Sequence, residues 1–440
     1  MAKKAILNNM GNSLTLDSCN KALGESAMLP IVKYPLFIER ALPHFEPIFN
    51  QSQLRHFAEY LTGLIVSDNK TITGINDHFL NHTDQSAKNH FLTDSNWDDS
   101  KLTCKRMDMI LEQCRMKQVT DGLLAIDDTL AHKTGEQIEA VDWFWDHSTH
   151  SYTLGHQLVS SQFVAKDFHV PIDSRLYQKE EDIGKEHFKS KLDLAIELID
   201  QAAQARIPFT RVAGDSWYFC DKIIKHLSHL RKDWIFASKS NRTININNRW
   251  IQLKDFVKEL KPEDFKQITI TKTNGKQLTV FAFSKTVHMR KVGRVKVVVS
   301  YLKKPLKGNP FFLVTNRKDW TIGTILSGYA QRWPIETFYR DAKQNLGLES
   351  CEMRRLKGIR RHWNLVFLAY TLLEFESSSG IFKKWIKSNV VTIGGKCRMA
   401  SSEIVRSFIF WTYQQIKQDN DPEYIFSQII FNGKQLKLVI

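Results

Sequence analysis

The chain lacks long apolar runs and paired cysteines. In its 440 residues no uninterrupted apolar stretch approaches the roughly 20 residues that cross a bilayer, so we expect no membrane span. The basic N-terminus is followed by no adequate apolar segment, which argues against a secretory signal and favours an intracellular protein. Six cysteines stand singly, without a Cys-x-x-Cys pair. We expect reduced, mostly buried thiols and neither a zinc ribbon nor a disulfide framework.

Several catalytic motifs are also missing. The sequence contains no Gly-x-Ser-x-Gly nucleophile motif, no phosphate loop and no dinucleotide-binding glycine pattern. His147, His150 and His156 have no cysteine or acid at a spacing usual for zinc, so we interpret them as surface or turn histidines. These absences leave carboxylates as the main candidates for chemistry.

Acidic residues are fewer than basic ones. The chain has 62 Lys and Arg against 47 Asp and Glu, a formal net charge of +15. Such an excess favours a polyanionic partner, because each neutralised phosphate releases condensed counterions. The alternative is simply a basic soluble protein. Two segments concentrate the positive charge: Lys285, His288, Arg290, Lys291, Arg294 and Lys296 in one, and Arg354, Arg355, Lys357, Arg360 and Arg361 in the other.

The length and periodicity indicate two or three domains with α/β character. At 440 residues, one ordinary core is too small for the chain. Residues 35–115 read as helical, and Gly122–Thr129 as a buried strand that ends in two acids. Further strands at 152–164, 208–214 and 234–238 alternate with helices at 186–205 and 223–230. This order predicts an α/β domain with partly parallel pairing.

Between residues 240 and 308 the pattern changes to β. The segment Gln267–Phe281 alternates on both sides of Asn274-Gly275, which predicts a hairpin. A buried strand at Phe311–Asn316 precedes a helix that carries Glu336, and 363–376 reads as an apolar helix. The sequence therefore predicts a β-rich insertion within an α/β domain.

One face of the helix near residue 336 is unsuited to a core. Tyr329, Arg332, Glu336, Arg340 and Lys343 are three or four residues apart, so on a helix they share one face. One acid among cations suits a metal held against a phosphate backbone. Pro334 interrupts the segment, so either a helix restarts there or a long helix kinks.

Three acids are candidates for a metal site. Asp128 and Asp215 follow strands, and sites in open α/β sheets form at the carboxyl ends of strands. Together with Glu336 they would supply the oxygen ligands that Mg²⁺ prefers. Other roles are open: Asp127 and Asp128 could cap a turn, Asp215 a helix, and Glu336 could pair with Arg332 or Arg340. Since neighbouring strand residues face opposite ways, only one of Asp127 and Asp128 should reach the metal.

Exposed tryptophans would add a second type of nucleic-acid contact. Trp143, Trp145, Trp217 and Trp250 could stack on an unpaired base, although tryptophan more often fills a core.

Three motifs carry a family resemblance. Tyr329-x2-Arg332-x3-Glu336-x6-Lys343 resembles the four-position signature of DDE transposases of the IS4 type, and the flanking residues resemble the IS701-like branch. Leu123-Leu-Ala-Ile-Asp-Asp-Thr129 resembles the first-aspartate motif, in which the acid before Thr is catalytic, and so indicates Asp128. Gly214-Asp-Ser-Trp-Tyr218 resembles the second-aspartate motif and indicates Asp215. The likeness spans about residues 80–375.

The resemblance implies a DNA transposase with an RNase H-like catalytic core, interrupted by the β-rich insertion and flanked by helical terminal regions. Asp128, Asp215 and Glu336 would be catalytic and hold Mg²⁺, for which Mn²⁺ could substitute. Tyr329, Arg332 and Lys343 would bind DNA, and Arg340, which shares their helix face, is a further candidate for DNA binding. The enzyme would nick transposon ends and join the 3′-hydroxyl to target DNA.

The resemblance also implies partners and a division of the chain. The partners would be double-stranded DNA, at the terminal inverted repeats and at the target, and a second copy in a homodimer within the prokaryotic nucleoid. The alternatives are a non-catalytic DNA-binding protein derived from a transposase, or a metal-dependent nuclease of the same fold. The expected regions are 1–115 (end binding), 116–240 and 309–376 (core), 241–308 (insertion) and 377–440 (dimerisation).

Overall fold

A large mixed sheet lies between two layers of helices. The computed structural model describes residues 29–81, 83–146, 148–271, 275–376, 392–421 and residue 425. The predictions for His147 and Asn274, and for the C-terminal region outside 392–421 and 425, fall outside these residues. In the described part of the chain, no helix is long and apolar enough to cross a membrane.

Within the described residues, the sheet has twelve strands. Its main path runs β2-β3-β1-β5-β6-β12-β11-β10-β7-β8, with β4 paired to β3 and β9 paired to β10. The strands are β1 Gly122–His132, β2 Asp142–Asp146, β3 Ser151–Val164, β4 His169–Tyr177, β5 Phe209–Gly214, β6 Asp233–Ala237, β7 Thr243–Ile246, β8 Arg249–Gln252, β9 Lys266–Thr271, β10 Gln277–Met289, β11 Gly293–Tyr301 and β12 Phe311–Thr315.

Thirteen α-helices lie in the described residues. They are α1 Leu36–Ala41, α2 Gln51–Val66, α3 Ile72–Asp77, α4 Gln85–Thr93, α5 Asp99–Met116, α6 Glu180–Ile183, α7 Lys191–Gln204, α8 Asp221–His229, α9 Leu253–Lys258, α10 Ile322–Ala330, α11 Pro334–Asn345, α12 Leu356–Glu376 and α13 Ile393–Lys417. Helices α2, α11, α12 and α13 pack on one face of the sheet, and α7, α8 and α9 pack on the other.

Strand β1 is central and its pairing explains its composition. It runs antiparallel to β3 and parallel to β5, and β5 runs parallel to β6. With helices on both faces, a parallel strand is apolar throughout, as Leu123 to Ile126 are. The predicted mixed α/β arrangement with parallel pairing is therefore confirmed. Residues 152–164 form one long strand, whereas β2 and β4 were not predicted.

The segment after β6 is dominated by strands, as the alternation predicts. Strands β9 and β10 form an antiparallel hairpin in which Thr271 pairs with Gln277. Gly275 adopts φ of 78°, a left-handed conformation that glycine tolerates and most residues do not. Strand β10 then pairs with β11, and β11 with β12, so this part of the chain is continuous with the central sheet.

The segment around Pro334 forms two helices and not one. Helix α10 ends at Ala330, and α11 begins at Pro334. Proline suits this first position because its missing N–H would have no partner inside the helix. Of the two arrangements that the sequence allows, a restarted helix is the one observed.

A buried ion pair joins the N-terminal helices α2 and α4. Lys88 Nζ lies 2.7 Å from Glu59 Oε2, and both side chains are almost fully buried. Arg55 contributes a hydrogen bond of 2.8 Å to Glu59 Oε1. Burial alone opposes ionisation of Glu59, but hydrogen bonds from His56, Lys88 and Arg55 lower its pKa to about 2. This carboxylate therefore stays charged inside the helical layer.

Candidate active site

The alternation of β1 decides which face each of its two aspartates reaches. Leu123 and Ala125 belong to the core that includes Ile335 and Phe338 of α11. Leu124 and Ile126 belong to the opposite core, beneath α7 and α8. Because strand side chains alternate, Asp127 continues the α11 face and Asp128 continues the α7 face.

Asp127 is the aspartate that lies with Asp215 and Glu336. Ile126 and Gly214 are paired in the parallel register of β1 and β5, and Asp127 and Asp215 follow them directly. Arg332 donates a hydrogen bond of 2.6 Å from one terminal nitrogen to Asp127 Oδ2. Its other terminal nitrogen donates to Glu336 Oε1. One guanidinium therefore joins the strand acid to the helix acid.

Burial and nearby carboxylates both raise the pKa of Asp127. Burial raises the pKa of Asp127 to about 7, and the neighbouring charges of Asp128 and Asp215 add to the increase. Arg332 acts in the opposite direction. The same group of charges extends to Tyr339 of α11, whose pKa is raised by burial and then by Asp127. The Asp127 carboxylate is therefore costly to ionise in this place, and Arg332 offsets part of that cost.

Asp128 makes a different set of contacts. Its Oδ2 accepts hydrogen bonds from Gln157 at 2.6 Å and from Lys191 at 2.9 Å. Its Oδ1 accepts one from the Tyr218 hydroxyl at 2.9 Å. These donors come from β3, the start of α7 and the loop after β5, so Asp128 ties three elements together. The resemblance indicated Asp128, but the structure does not bring this side chain to Glu336.

Asp215 both shapes its loop and faces the site. Its Oδ1 accepts the Trp217 N–H at 2.8 Å and the Tyr218 N–H at 3.4 Å. This is the capping turn considered from the sequence. Because only one carboxylate oxygen makes these bonds, the cap and a ligand role are compatible.

The other residues of the helix face predicted between Tyr329 and Lys343 differ in how far they are buried. The Arg332 side chain is only 11% exposed, and its Cζ lies 5.6 Å from the ring centroid of Tyr329. Lys343 donates to Leu130 O at 2.5 Å and lies 2.9 Å from Glu349 Oε1, so it holds α11 against β1. Arg340 is 57% exposed, and its one ion pair within the described part of the chain is with Asp341, at 3.5 Å. Of these four candidates for DNA binding, Arg340 is the cation that faces outward.

The carboxylates have the chemistry of a magnesium site but are held apart by an arginine. Asp127, Asp215 and Glu336 offer the hard oxygen ligands that Mg²⁺ or Mn²⁺ takes. As they stand, no three His, Cys, Asp or Glu side chains in the described residues are grouped closely enough to hold an ion. Arg332 lies between Asp127 and Glu336 and supplies the positive charge there. By the chemistry of their oxygens, Asp127, Asp215 and Glu336 could hold a divalent cation only in an arrangement that differs from this one.

The exposure of four tryptophans and one histidine differs from what the sequence predicts. Trp143, Trp145, Trp217 and Trp250 are all about half exposed, so the core role is wrong for each of them. His156 is fully buried, bonded to Glu139 O at 3.0 Å, and is not the surface or turn residue expected. Of the cysteines in the described residues, Cys114, Cys351 and Cys397 are buried, Cys220 is partly buried and Cys104 is exposed; none is in a disulfide.

Comparison with known proteins finds similarity to DDE endonucleases and transposases. Residues 44–249 match a family model described as DDE superfamily endonuclease. The chain is 25% identical over 222 residues to the "Probable transposase for insertion sequence element IS701" of Microchaete diplosiphon. That alignment covers 49% of this chain and 57% of the relative, little more than half of its length. The predicted resemblance to IS701-like DDE transposases is confirmed. The family match ends before Tyr329, so it does not test the four-position signature.

Two solved structures show weaker likenesses. A piggyBac transposase synaptic complex with hairpin DNA has a TM-score of 0.47 at 11% identity, covering 97% of this chain and 87% of that one. The NurA nuclease from Sulfolobus solfataricus has a TM-score of 0.24 at 8% identity, covering 66% of this chain and 97% of that one.

Proposed function

We propose that the chain is a DNA transposase, because it matches a DDE superfamily endonuclease model and resembles an IS701 transposase. It nicks transposon ends and joins the freed 3′-hydroxyl to target DNA. The observation that carries the proposal is the pairing of Arg332 with both Asp127 and Glu336, next to the strand end that carries Asp215.

The proposed core is RNase H-like. We assign it to residues 116–240 and 309–376, because β1 has an antiparallel neighbour on one side and two parallel strands on the other. Residues 241–308 are the proposed β-rich insertion. Residues 1–115 would bind transposon ends, and residues 377–440 would contribute to a homodimer. The protein would act within a prokaryotic nucleoid.

The first metal-holding aspartate is proposed to be Asp127 and not Asp128. Asp127, Asp215 and Glu336 would hold Mg²⁺, with Mn²⁺ as a substitute, and the ion would stabilise charge on the oxygens of the scissile phosphate. Asp128, which the motif resemblance indicates, remains the alternative candidate for the first metal-holding aspartate. The structural observations favour Asp127 because only its side chain shares Arg332 with Glu336.

Arg332 has two proposed tasks. Without DNA it neutralises Asp127 and Glu336, which would otherwise be crowded carboxylates in a half-buried place. With DNA it would turn toward the backbone phosphates, together with Tyr329. Arg340 offers an exposed charge for the same backbone. Lys343 would act by fixing α11, since its ammonium group is already bound to Leu130 O and Glu349.

A cleavage and joining assay tests the proposal. Labelled DNA that carries the inverted repeats flanking the gene is incubated with protein, Mg²⁺ and a target plasmid. The expected products are nicked ends and strand-transfer products. Cleavage without joining would instead identify a nuclease of the same fold. Binding without cleavage would identify a non-catalytic DNA-binding protein.

A further inference from the structure

A cation-rich pocket lies beside the loop that carries Asp215. Its volume is about 610 Å³, and residues from the loop after β5, the start of α7 and the turn between β10 and β11 line it. No acidic residue lines it, and five cations do: Lys191, Lys239, Arg242, Arg290 and Lys291. We call it the basic pocket.

An exposed tryptophan forms one wall of the basic pocket. Trp217 is 55% exposed, and its backbone N–H donates to Asp215 Oδ1 at 2.8 Å, so its backbone is tied to the turn that carries Asp215. Lys239 Nζ lies 5.4 Å from the Trp217 ring centroid. Tyr177 supplies a second ring, with Lys191 Nζ 5.5 Å from its centroid. An aromatic face next to cations is the arrangement that binds unpaired bases and their phosphates.

Of the five cations that line the basic pocket, Lys191 is paired with Asp128, at 2.9 Å, and the other four have no acidic partner among the described residues. Lys239, Arg290 and Lys291 are exposed, and none makes an ion pair with a described residue. Arg242 donates to the Phe219 carbonyl and is likewise without a carboxylate. Like charges held together repel one another, and a phosphate group relieves that repulsion. An ordinary solvated surface would intersperse acids among these residues.

The size of the basic pocket suits one nucleotide. Its volume lies within the range of about 300–1,000 Å³ that is usual for small-ligand sites. A base can lie against an indole only after it leaves its own stack. We propose that the basic pocket binds one unstacked nucleotide of a DNA single strand. The base lies on Trp217 and the phosphates contact Lys239, Arg290 and Lys291. This inference rests on the proposed function, since DNA is the assumed substrate.

Binding of single-stranded DNA without metal tests the proposal. The probe is a fluorescein-labelled oligodeoxythymidine, titrated with the full-length protein in EDTA and followed by anisotropy. Trp217→Ala should weaken binding about tenfold or more, as expected when one stacked base is lost. Trp217→Phe should restore most of the affinity. Trp250→Ala is the matched control, because Trp250 is 51% exposed but does not line the pocket.

A charge variant provides a readout that a folding defect would not imitate. Replacing Arg290 and Lys291 with Ala should lower the slope of log K against log salt by about 0.7 for each lost phosphate contact. Affinity of Trp217→Ala for a blunt duplex should stay within about twofold of wild type, since stacking needs an unpaired base.

Two outcomes would overturn the proposal: unchanged oligonucleotide affinity in Trp217→Ala, or an equal loss for the single strand and the duplex. Because EDTA prevents cleavage, these results do not depend on the proposed chemistry. Cleavage assays on Asp127→Asn test that chemistry separately, and their failure would leave the binding result standing.

Discussion

Neutralising Asp127 and Asp128 one at a time tests which of the two adjacent aspartates belongs to the active site. Asp127→Asn keeps the shape of the side chain and removes one of the three proposed metal-holding carboxylates. Stabilisation of charge by such an ion is worth several kcal/mol, and each ~1.4 kcal/mol is a tenfold change in rate. A loss of about 4 kcal/mol would slow cleavage roughly a thousandfold.

The matched variant Asp128→Asn should act on stability instead. It leaves Lys191 without its carboxylate and weakens the bonds from Gln157 and Tyr218. The Asp128 and Lys191 side chains are 23% and 22% exposed, between a surface pair and a buried one. We therefore expect a loss of about 1–3 kcal/mol in the free energy of unfolding. Below the melting transition, cleavage should stay within about tenfold of wild type, because Asp128 does not contact Glu336 or Arg332.

The assay measures single-turnover cleavage of labelled inverted-repeat DNA, with urea unfolding of each variant alongside. Reversed results would refute the reasoning: a folded Asp128→Asn that no longer cleaves, together with an Asp127→Asn that cleaves near the wild-type rate. Unfolding data are essential here, since a destabilised Asp128→Asn would otherwise imitate a catalytic defect.

Three further predictions follow from other contacts. Arg332→Gln removes the cation that competes with a metal for Asp127, so Mn²⁺ should raise its melting temperature more than that of wild type; an equal or smaller rise would count against the competition. Glu59→Gln should cost about 3–5 kcal/mol in the free energy of unfolding at neutral pH, because it leaves a buried ammonium unpaired. Since the folded pKa of Glu59 is about 2 and its ordinary value is 4.5, this difference should be complete above pH 4.5 and shrink as the pH falls toward 2; a pH-independent difference in urea titrations contradicts it. Arg340→Ala should reduce the salt slope of duplex binding by about 0.9, whereas Lys343→Ala should mainly lower the melting temperature; the opposite pattern would reverse their roles.

The sequence predicted elements well where the pattern was local. The apolar run before Asp127 marked β1, and the alternation around Gly275 marked the β9–β10 hairpin. Pro334 limited the next segment to a kink or a restart, and the restart is observed. Strand β4 was missed, and it contains Pro171, a residue uncommon in strands.

The choice between Asp127 and Asp128 could not be made from the sequence. Both faces of β1 are buried, so the strand residues before these acids are all apolar. The sequence therefore shows no alternation of polar and apolar residues that would tell which face each aspartate is on. Only the packing of α11 on one face distinguishes them. The hydrogen bond from Lys343 to Leu130 O could not be predicted from the sequence either, since Leu130 lies 213 residues away in the chain. Both placements depend on long-range packing, which the local pattern does not encode.

The central claim is that Asp127, Asp215 and Glu336 together hold the metal that acts on DNA. Crystals of the protein with its inverted-repeat DNA and Mn²⁺, measured at the manganese absorption edge, test it most directly. The account predicts an anomalous peak within coordination distance of these three carboxylates, with Arg332 displaced from Asp127. A peak bound to Asp128 instead, with Arg332 still bridging Asp127 and Glu336, would contradict it.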